Sequence, residues 1–175
     1  MATAGKAALR ERLLARRRSV SDDAHAREAR SLAAHIDALT INGGRTVCAY
    51  VPVGAEPGSI EMLDVLLRQA VQVLLPVTRT TGDASAMALL WGEYQPGHLL
   101  TARFGLLEPA GPWLPPTALA DAGVLFVPAL AVDRTGARLG RGRGFYDRTL
   151  VLRNPEACLI AVVRDDELLD EVPHE

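Results

Sequence analysis

Gly123-Val124-Leu125-Phe126-Val127, stopped by Pro128, is the run that decides the fold. Every side chain in it beyond the glycine is apolar, so a strand made from it must bury both faces. After it come a glycine-rich loop, a short helix-like segment near Tyr146 to Leu152, and a second apolar run, Cys158 to Val163. Strand, connection, helix, strand is the repeating unit of a parallel sheet.

The same alternation is legible upstream. Lys6 to Arg18 reads as a helix with Leu9, Leu13 and Leu14 on one side. Ser21 before Asp22 and Asp23 has the form of an N-cap, and a second helix should run to about Leu39, closed by Gly43-Gly44. Thr46 to Val51 is a buried strand ended by Pro52. Ser59 should cap a third helix through Gln69, followed by a strand at Val71 to Leu75 and an outer strand at Met87 to Trp91. Thr80 to Ala86 reads as a surface loop, and the proline-rich Glu108 to Pro116 as irregular. The expectation is one α/β domain spanning residues 1–175, three-layered, with a largely parallel central sheet flanked by helices. Ligands on such sheets bind beyond the carboxyl ends of the strands, which here selects the loops Val51–Ser59, Pro76–Thr81 and Pro128–Gly144.

The last of these loops contains the strongest chemical signal, Arg138-Leu139-Gly140-Arg141-Gly142-Arg143-Gly144-Phe145-Tyr146-Asp147-Arg148. Glycines let the backbone bend and approach a ligand. Successive N–H groups and guanidinium groups can then hold phosphate oxygens. The spacing is neither a Walker A loop nor a dinucleotide fingerprint, and a linker or RNA-binding tail remains the bland alternative.

Bulk properties narrow the classes. The chain has 175 residues, 49% hydrophobic and 23% charged, with net charge −2. That composition supports a full core and gives no global basic field for nucleic acid. Cys48 and Cys158 lie in apolar runs, so both are expected as buried free thiols in a reducing, cytoplasmic setting. The amino-terminal residues lack a secretion signal's apolar stretch, and no run is long enough to span a bilayer.

Candidate site residues follow from chemistry. Glu56, in a strand-to-helix loop, could accept hydrogen bonds from a heterocycle's N–H groups or could be a solvated loop acid. Phe104 could stack a flat ring at a site edge. Asp133 and Asp147 could each bind Mg²⁺ alongside phosphate, with Asp147 favoured; Asp133 could instead brace the loop through Arg138. Lys6 and Arg10 share a helix face that is either solvated or part of the site.

Taken together the blocks resemble the 5-formyltetrahydrofolate cyclo-ligase family over essentially the whole chain. Lys6-Ala7-Ala8-Leu9-Arg10 is similar to its amino-terminal motif, Tyr50-Val51-Pro52 through Glu56 to its folate loop, and Phe104-Gly105-Leu106-Leu107-Glu108-Pro109 to its middle block. Val127 to Asp133, with Gly136 and Arg138 to Arg148, resembles its most specific signature. The resemblance implies closure of 5-formyltetrahydrofolate to 5,10-methenyltetrahydrofolate with ATP as co-substrate and Mg²⁺, by a monomer that binds neither nucleic acid nor membrane. It places Lys6, Arg10, Arg138, Leu139, Gly140, Arg141, Gly142, Arg143, Gly144, Phe145 and Tyr146 on ATP. It places Val51, Glu56, Phe104 and Arg141 through Phe145 on folate, Asp147 on the metal, and Arg141 and Arg143 in the catalytic role. The family commonly has Gly-Lys-Gly-Tyr-Tyr-Asp where this chain has Gly142-Arg143-Gly144-Phe145-Tyr146-Asp147, and usually a further Mg²⁺-binding acid beyond the position of Glu175. That last departure favours a non-catalytic nucleotide- or folate-binding relative as the alternative reading, with an RNA-binding module third.

Overall fold

Leu9 and Leu13 lie one helical turn apart, and the Ala/Leu/Arg-rich segment around them forms helix α1, Ala2–Arg18. Three arginines, Arg16 to Arg18, occupy its last turn, where positive charge suits the helix dipole. The computed structural model describes residues 2–41 and 45–173, so the expected Gly43-Gly44 stop lies outside the described residues. Helix α2, Asp22–Ala38, begins as its cap predicts: Ser21 Oγ accepts the Ala24 N–H at 3.3 Å, and Asp22 and Asp23 fill the first turn. Its buried face is Ala29, Ala33 and Ile36, a spacing of four and three. Helix α3, Glu61–Gln69, starts one residue later than expected; Ser59 Oγ still accepts the Glu61 N–H at 3.3 Å, but Ile60 holds the cap position.

The strands are β1 (Thr46–Cys48), β2 (Gln72–Val77), β3 (Leu90–Glu93), β4 (Leu99–Thr101), β5 (Leu107–Pro109), β6 (Ala122–Pro128), β7 (Ala131–Asp133), β8 (Arg138–Leu139), β9 (Cys158–Val162) and β10 (Leu168–Leu169); α4 is Phe145–Leu150. The main sheet has the order β3-β2-β1-β6-β9, parallel except for the antiparallel edge strand β3. β1 is shorter than its apolar run. Ala49 still donates to Leu74 O at 2.9 Å, after which Tyr50-Val51-Pro52 leaves the ladder because proline has no N–H to continue it. β3 begins at Leu90 rather than Met87, because the Leu89 N–H is spent on the Thr149 hydroxyl at 2.9 Å.

Alternate residues feed opposite faces of this sheet. Val47, Val73, Leu75 and Phe126 join the core beneath α2 and α3. Cys48, Leu74, Leu125 and Val127 join the core beneath α4 and the 3₁₀ turn Pro116–Asp121. The expected three-layer α/β architecture is therefore present. A small second sheet, β10-β7-β8, stands beyond the end of β6 and receives Leu9 and Leu13 of α1 on Leu130, Ala131 and Leu139. β4 and β5 form an antiparallel hairpin, so the segment expected to be irregular from Glu108 onward begins inside a strand.

Cys48 is buried and Cys158 is exposed, both as free thiols. The expectation of two buried thiols fails at Cys158 because it opens β9, the outermost strand of the sheet.

One buried ion pair ties these parts together. Arg17 Nε and Nη2 donate to the two carboxylate oxygens of Glu167 at 2.6 and 2.8 Å, and Nη2 also donates to Ala129 O at 2.6 Å. Both side chains are at most 4% exposed. Removing one partner of such a pair strands a buried charge, at a cost of about 3–5 kcal/mol. Arg17→Ala should lower the melting temperature by roughly 6–20 °C, at about 2–4 °C per kcal/mol for this size. Differential scanning calorimetry checks this, and a melting temperature within 2 °C or so of wild type would contradict it.

Candidate active site

β1 is flanked by β2 on one side and β6 on the other, and the chain leaves it toward β2 first and reaches β6 later. The carboxyl ends of β1 and β6 therefore diverge into connections running in opposite senses, which opens a crevice between them. A cleft enclosing about 1160 Å³, open solvent at its mouth included, lies there. Its walls come from all three of the loops selected from the sequence: Val51, Val53 and Glu56; Pro76 and Thr78; and Pro128 to Tyr146 with gaps. The β4–β5 hairpin closes it with Phe104, Leu106, Leu107 and Glu108.

Glu56 is the hinge of the arrangement. It is 6% exposed, and its Oε2 accepts the Val53 N–H at 3.0 Å. Its Oε1 lies 3.0 Å from Arg141 Nη2, so the carboxylate joins the first loop to the arginine loop. The backbone around it is held from outside the cleft. His25 Nε2 donates to Glu56 O at 2.9 Å, and Arg164 Nη1 donates to Ala55 O at 3.1 Å. A solvated loop acid would have none of this, so the bland reading of Glu56 is set aside.

The arginine loop leans on the opposite wall as well. The Arg143 guanidinium carbon sits 3.9 Å from the centre of the Phe104 ring, a cation–π contact. Phe104 holds a left-handed backbone, φ 61°, and is about half exposed at the cleft edge, as a stacking platform requires. At the base of the loop Arg10 Nε donates to Gly140 O at 2.9 Å. Gly142 has φ 87°, and a Cβ there would lie 3.3 Å from the Arg10 guanidinium carbon, so both conformation and space call for glycine. Arg138 Nη2 donates to Asp147 Oδ1 at 2.9 Å and Nη1 to Pro128 O at 3.3 Å.

The predicted residues divide accordingly. Val51, Glu56, Phe104, Arg138, Gly140, Arg141, Gly142, Arg143, Gly144, Phe145, Tyr146 and Asp147 all line the cleft. Leu139 does not: its side chain packs with Leu9, Leu13 and Leu130, so it pins the loop from below rather than facing a ligand. In the two-residue strand β8, neighbours point to opposite sides, so Leu139 can meet a ligand only through its backbone. Lys6 is half-buried one turn before Arg10 and is not part of the cleft wall. Asp133 is buried and serves structure. Its Oδ1 accepts the Thr135 hydroxyl at 2.5 Å and the N–H groups of Thr135 and Ala137, and its Oδ2 accepts the Val172 N–H at 2.8 Å. It braces the turn without Arg138, whose partner is Asp147.

Four polar wall residues were not among the candidates read from the sequence. Arg17 belongs to the segment Lys6 to Arg18, read only as a helix, and it reaches the cleft wall. Glu108 is buried and accepts both the Thr78 N–H and the Thr78 hydroxyl at 2.7 Å, fixing the second loop. Thr78 is that loop's contact residue. Tyr50 is 3% exposed, and its hydroxyl, like that of Tyr146, has no hydrogen-bond partner among the described residues. A charged residue inside an apolar block, as Glu108 is between Leu107 and Pro109, is the signal that could have flagged one of them.

Asp147 is the carboxylate available to a cation: 76% exposed, in the first turn of α4, beside the arginine loop. No group of three or more His, Cys, Asp or Glu among the described residues could hold a metal ion. This donor set suits Mg²⁺ only in the form that takes one or two carboxylates and completes its shell with phosphate oxygens and water.

The fold and the cleft define an α/β protein with its ligand cleft at the switch point of its sheet, lined by arginines, buried carboxylates and an aromatic ring. The 5-formyltetrahydrofolate cyclo-ligase family model matches residues 2–175, and the chain belongs to that family. It is 55% identical over 175 residues to the 5-formyltetrahydrofolate cyclo-ligase of Mycolicibacterium smegmatis, covering 100% of this chain and 90% of that protein. It is 31% identical over 132 residues to the Escherichia coli K12 protein of the same name, covering 74% of this chain and 71% of that one. The fold is shared with the 5,10-methenyltetrahydrofolate synthetase of Aquifex aeolicus, with a TM-score of 0.76 at 23% identity over 97% of this chain and 83% of that one. The synthetase from Mycoplasma pneumoniae gives 0.71 at 18% identity, over 95% and 90%. No helix among the described residues is long and apolar enough to cross a membrane.

The Asp133 carboxyl, held by the Thr135 hydroxyl first and then by backbone N–H groups, is lowered to about 2. A depressed carboxylate stabilises the fold fully above its unfolded value of about 4 and loses that contribution as pH falls through about 2. Asp133→Asn should therefore be less stable than wild type at pH 7, with the difference closing between pH 4 and pH 2. Urea denaturation across that range tests it; a pH-independent difference would contradict the assignment.

Proposed function

We propose that the cleft performs the ATP- and Mg²⁺-dependent cyclisation of 5-formyltetrahydrofolate to 5,10-methenyltetrahydrofolate, releasing ADP and phosphate. The observation that carries this reading is the meeting, in one cleft, of Glu56 and Phe104 with the arginine loop. A buried carboxylate and an aromatic ring suit the N–H edge and the face of a pterin. Arginines and loop backbone suit phosphates.

The chemistry asks for alignment more than for proton transfer. The formyl oxygen attacks the γ-phosphorus, the bond from that phosphorus to the β-bridging oxygen breaks, and ADP departs. N10 then attacks the phosphorylated imidate carbon and loses its proton, and the carbon–oxygen bond breaks to release phosphate. Amide oxygen leaves poorly, and phosphorylation makes it a good leaving group. Arg141 and Arg143 neutralise charge developing on the transferring phosphoryl group. Arg10 and Leu139 hold the loop that presents them. Glu56 fixes the heterocycle so that the formyl oxygen stays in line. Asp147 would hold Mg²⁺, which when bound shields phosphate charge.

Arg141 and Arg143 rest on Glu56 and Phe104, the same two groups that this reading gives to folate. Folate thus takes their places and turns both guanidiniums toward phosphate. We read the protein as a monomer of the reducing cytoplasm, consistent with its exposed free thiol.

The test is direct: incubate the protein with 5-formyltetrahydrofolate, ATP and Mg²⁺ and follow methenyl absorbance. No product at micromolar protein would favour the non-catalytic alternative. Arg143→Ala should lower turnover by about 10²–10³-fold while folate binding changes far less. Equal loss of both would undo the division of roles. Glu56→Gln should weaken folate binding by about 10- to 100-fold with nucleotide binding retained; isothermal titration with each ligand separates the two.

A further inference from the structure

Tyr50 is a buried polar group of the cleft to which the cyclisation chemistry gives no role. The residue is 3% exposed and follows directly on β1 and Ala49. Its hydroxyl has no partner among the described residues. A buried hydroxyl without a partner costs about 1–3 kcal/mol, and proteins leave few of them. Where one persists, the fold either carries the strain or completes the bond with an ordered water or a ligand. Tyr50 lines the cleft, which is where a ligand would supply the partner.

Its surroundings say which kind. Burial and the charge of Glu56 both raise the Tyr50 phenol, so it is a proton donor throughout the physiological range and lies within electrostatic reach of the Glu56 carboxylate. The cation near it, Arg17, is committed to Glu167 and Ala129 O. On the proposed reading of the site, Glu56 accepts from the 2-amino group and N3–H of the pterin. The next atom along that heterocycle edge is the 4-oxo oxygen, an acceptor, which needs a donor beside the carboxylate. Glu56 cannot supply one.

We infer that the Tyr50 hydroxyl is that donor, and that Tyr50 is a specificity-determining residue selecting a 4-oxo ring over a 4-amino ring. Glu56 and Tyr50 then form one acceptor–donor pair matched to the lactam edge of the heterocycle. A 4-amino ring presents N–H to a phenol oxygen, which accepts weakly because its lone pair is drawn into the ring, and an unprotonated N3 where the carboxylate must accept. Sites built to hydrogen-bond a ligand group reject analogues that reverse it, because their own polar atoms are left unpaired. This rests on the folate reading of the cleft.

Tyr50→Phe tests it, because the substitution removes one oxygen and keeps the ring. Wild type and variant are titrated calorimetrically with 5-formyltetrahydrofolate, with its 4-amino counterpart and with ATP, and both are melted. The expected result is a melting temperature equal to or above wild type, since an unpartnered buried hydroxyl is removed. Affinity for 5-formyltetrahydrofolate falls roughly three- to tenfold, the worth of one hydrogen bond. Affinity for the 4-amino ligand and for ATP stays unchanged, so the discrimination ratio narrows by the same factor. Unchanged folate affinity, or an equal loss for both heterocycles, overturns the inference while leaving the folate reading intact. A markedly lower melting temperature also overturns it, by showing that the hydroxyl is already satisfied in the free protein. Failure of the wild type to bind 5-formyltetrahydrofolate overturns the folate reading and this inference with it.

Discussion

The Arg17–Glu167 pair is the interaction on which the geometry of the cleft depends. Arg17 stands in the last turn of the first helix, yet its guanidinium is buried against the carbonyl of Ala129, just where β6 gives way to the small sheet. Glu167, from the chain's far end, accepts the Arg164 N–H at 2.8 Å as well. Arg164 in turn reaches Glu28 on α2 at 2.7 Å and the Ala55 carbonyl beside Glu56. Two helices, the exit of the central sheet, the first binding loop and the carboxyl-terminal segment are thus joined through charged groups whose lone pairs and protons are mostly matched. Apolar packing would hold these parts together, but it would not fix the bearing of the 53–56 loop so narrowly, because hydrophobic contact is non-directional.

On that base the cleft is a meeting of three loops that are individually irregular and collectively braced. Thr78 is held by Glu108, Glu56 by Val53 and His25, and the arginine loop by Arg10, Leu139 and Glu56. The arginine loop touches the Glu56 loop and the β4–β5 hairpin through the side chains of Arg141 and Arg143. Guanidinium groups can therefore change partner while the glycines and Leu139 hold the chain in place. Rigid backbone with exchangeable charge suits the two-ligand site proposed above.

Much of this was legible in the residues. Ser21 with its two acids marked the start of α2, apolar runs marked β1, β2, β6 and β9, and the strand–loop–helix rhythm marked the ends where ligands bind. What escaped was set by contacts distant in sequence. Leu139 sits in an Arg/Gly loop, and only the arrival of α1 turns it into core. Arg17 is one of several arginines in a row, and only Glu167, 150 residues away, makes it buried. The β4–β5 hairpin has strands of three residues each, too short for periodicity to register. Cys158 sits in an apolar run like Cys48, and only its place on the outermost strand separates them.

That difference between the cysteines has a practical side. Burial raises the Cys48 thiol to about 12, so at neutral pH it offers almost no thiolate to an alkylating reagent. Cys158 is exposed, and it lies opposite Val124 at the amino end of the parallel strands, the end away from the cleft. The unmodified chain therefore carries one addressable position for a maleimide dye or spin label. A tag placed there stands clear of whatever enters between β1 and β6 while remaining on a strand hydrogen-bonded to β6 itself, a vantage from which occupancy of the cleft can be watched without altering any residue that lines it.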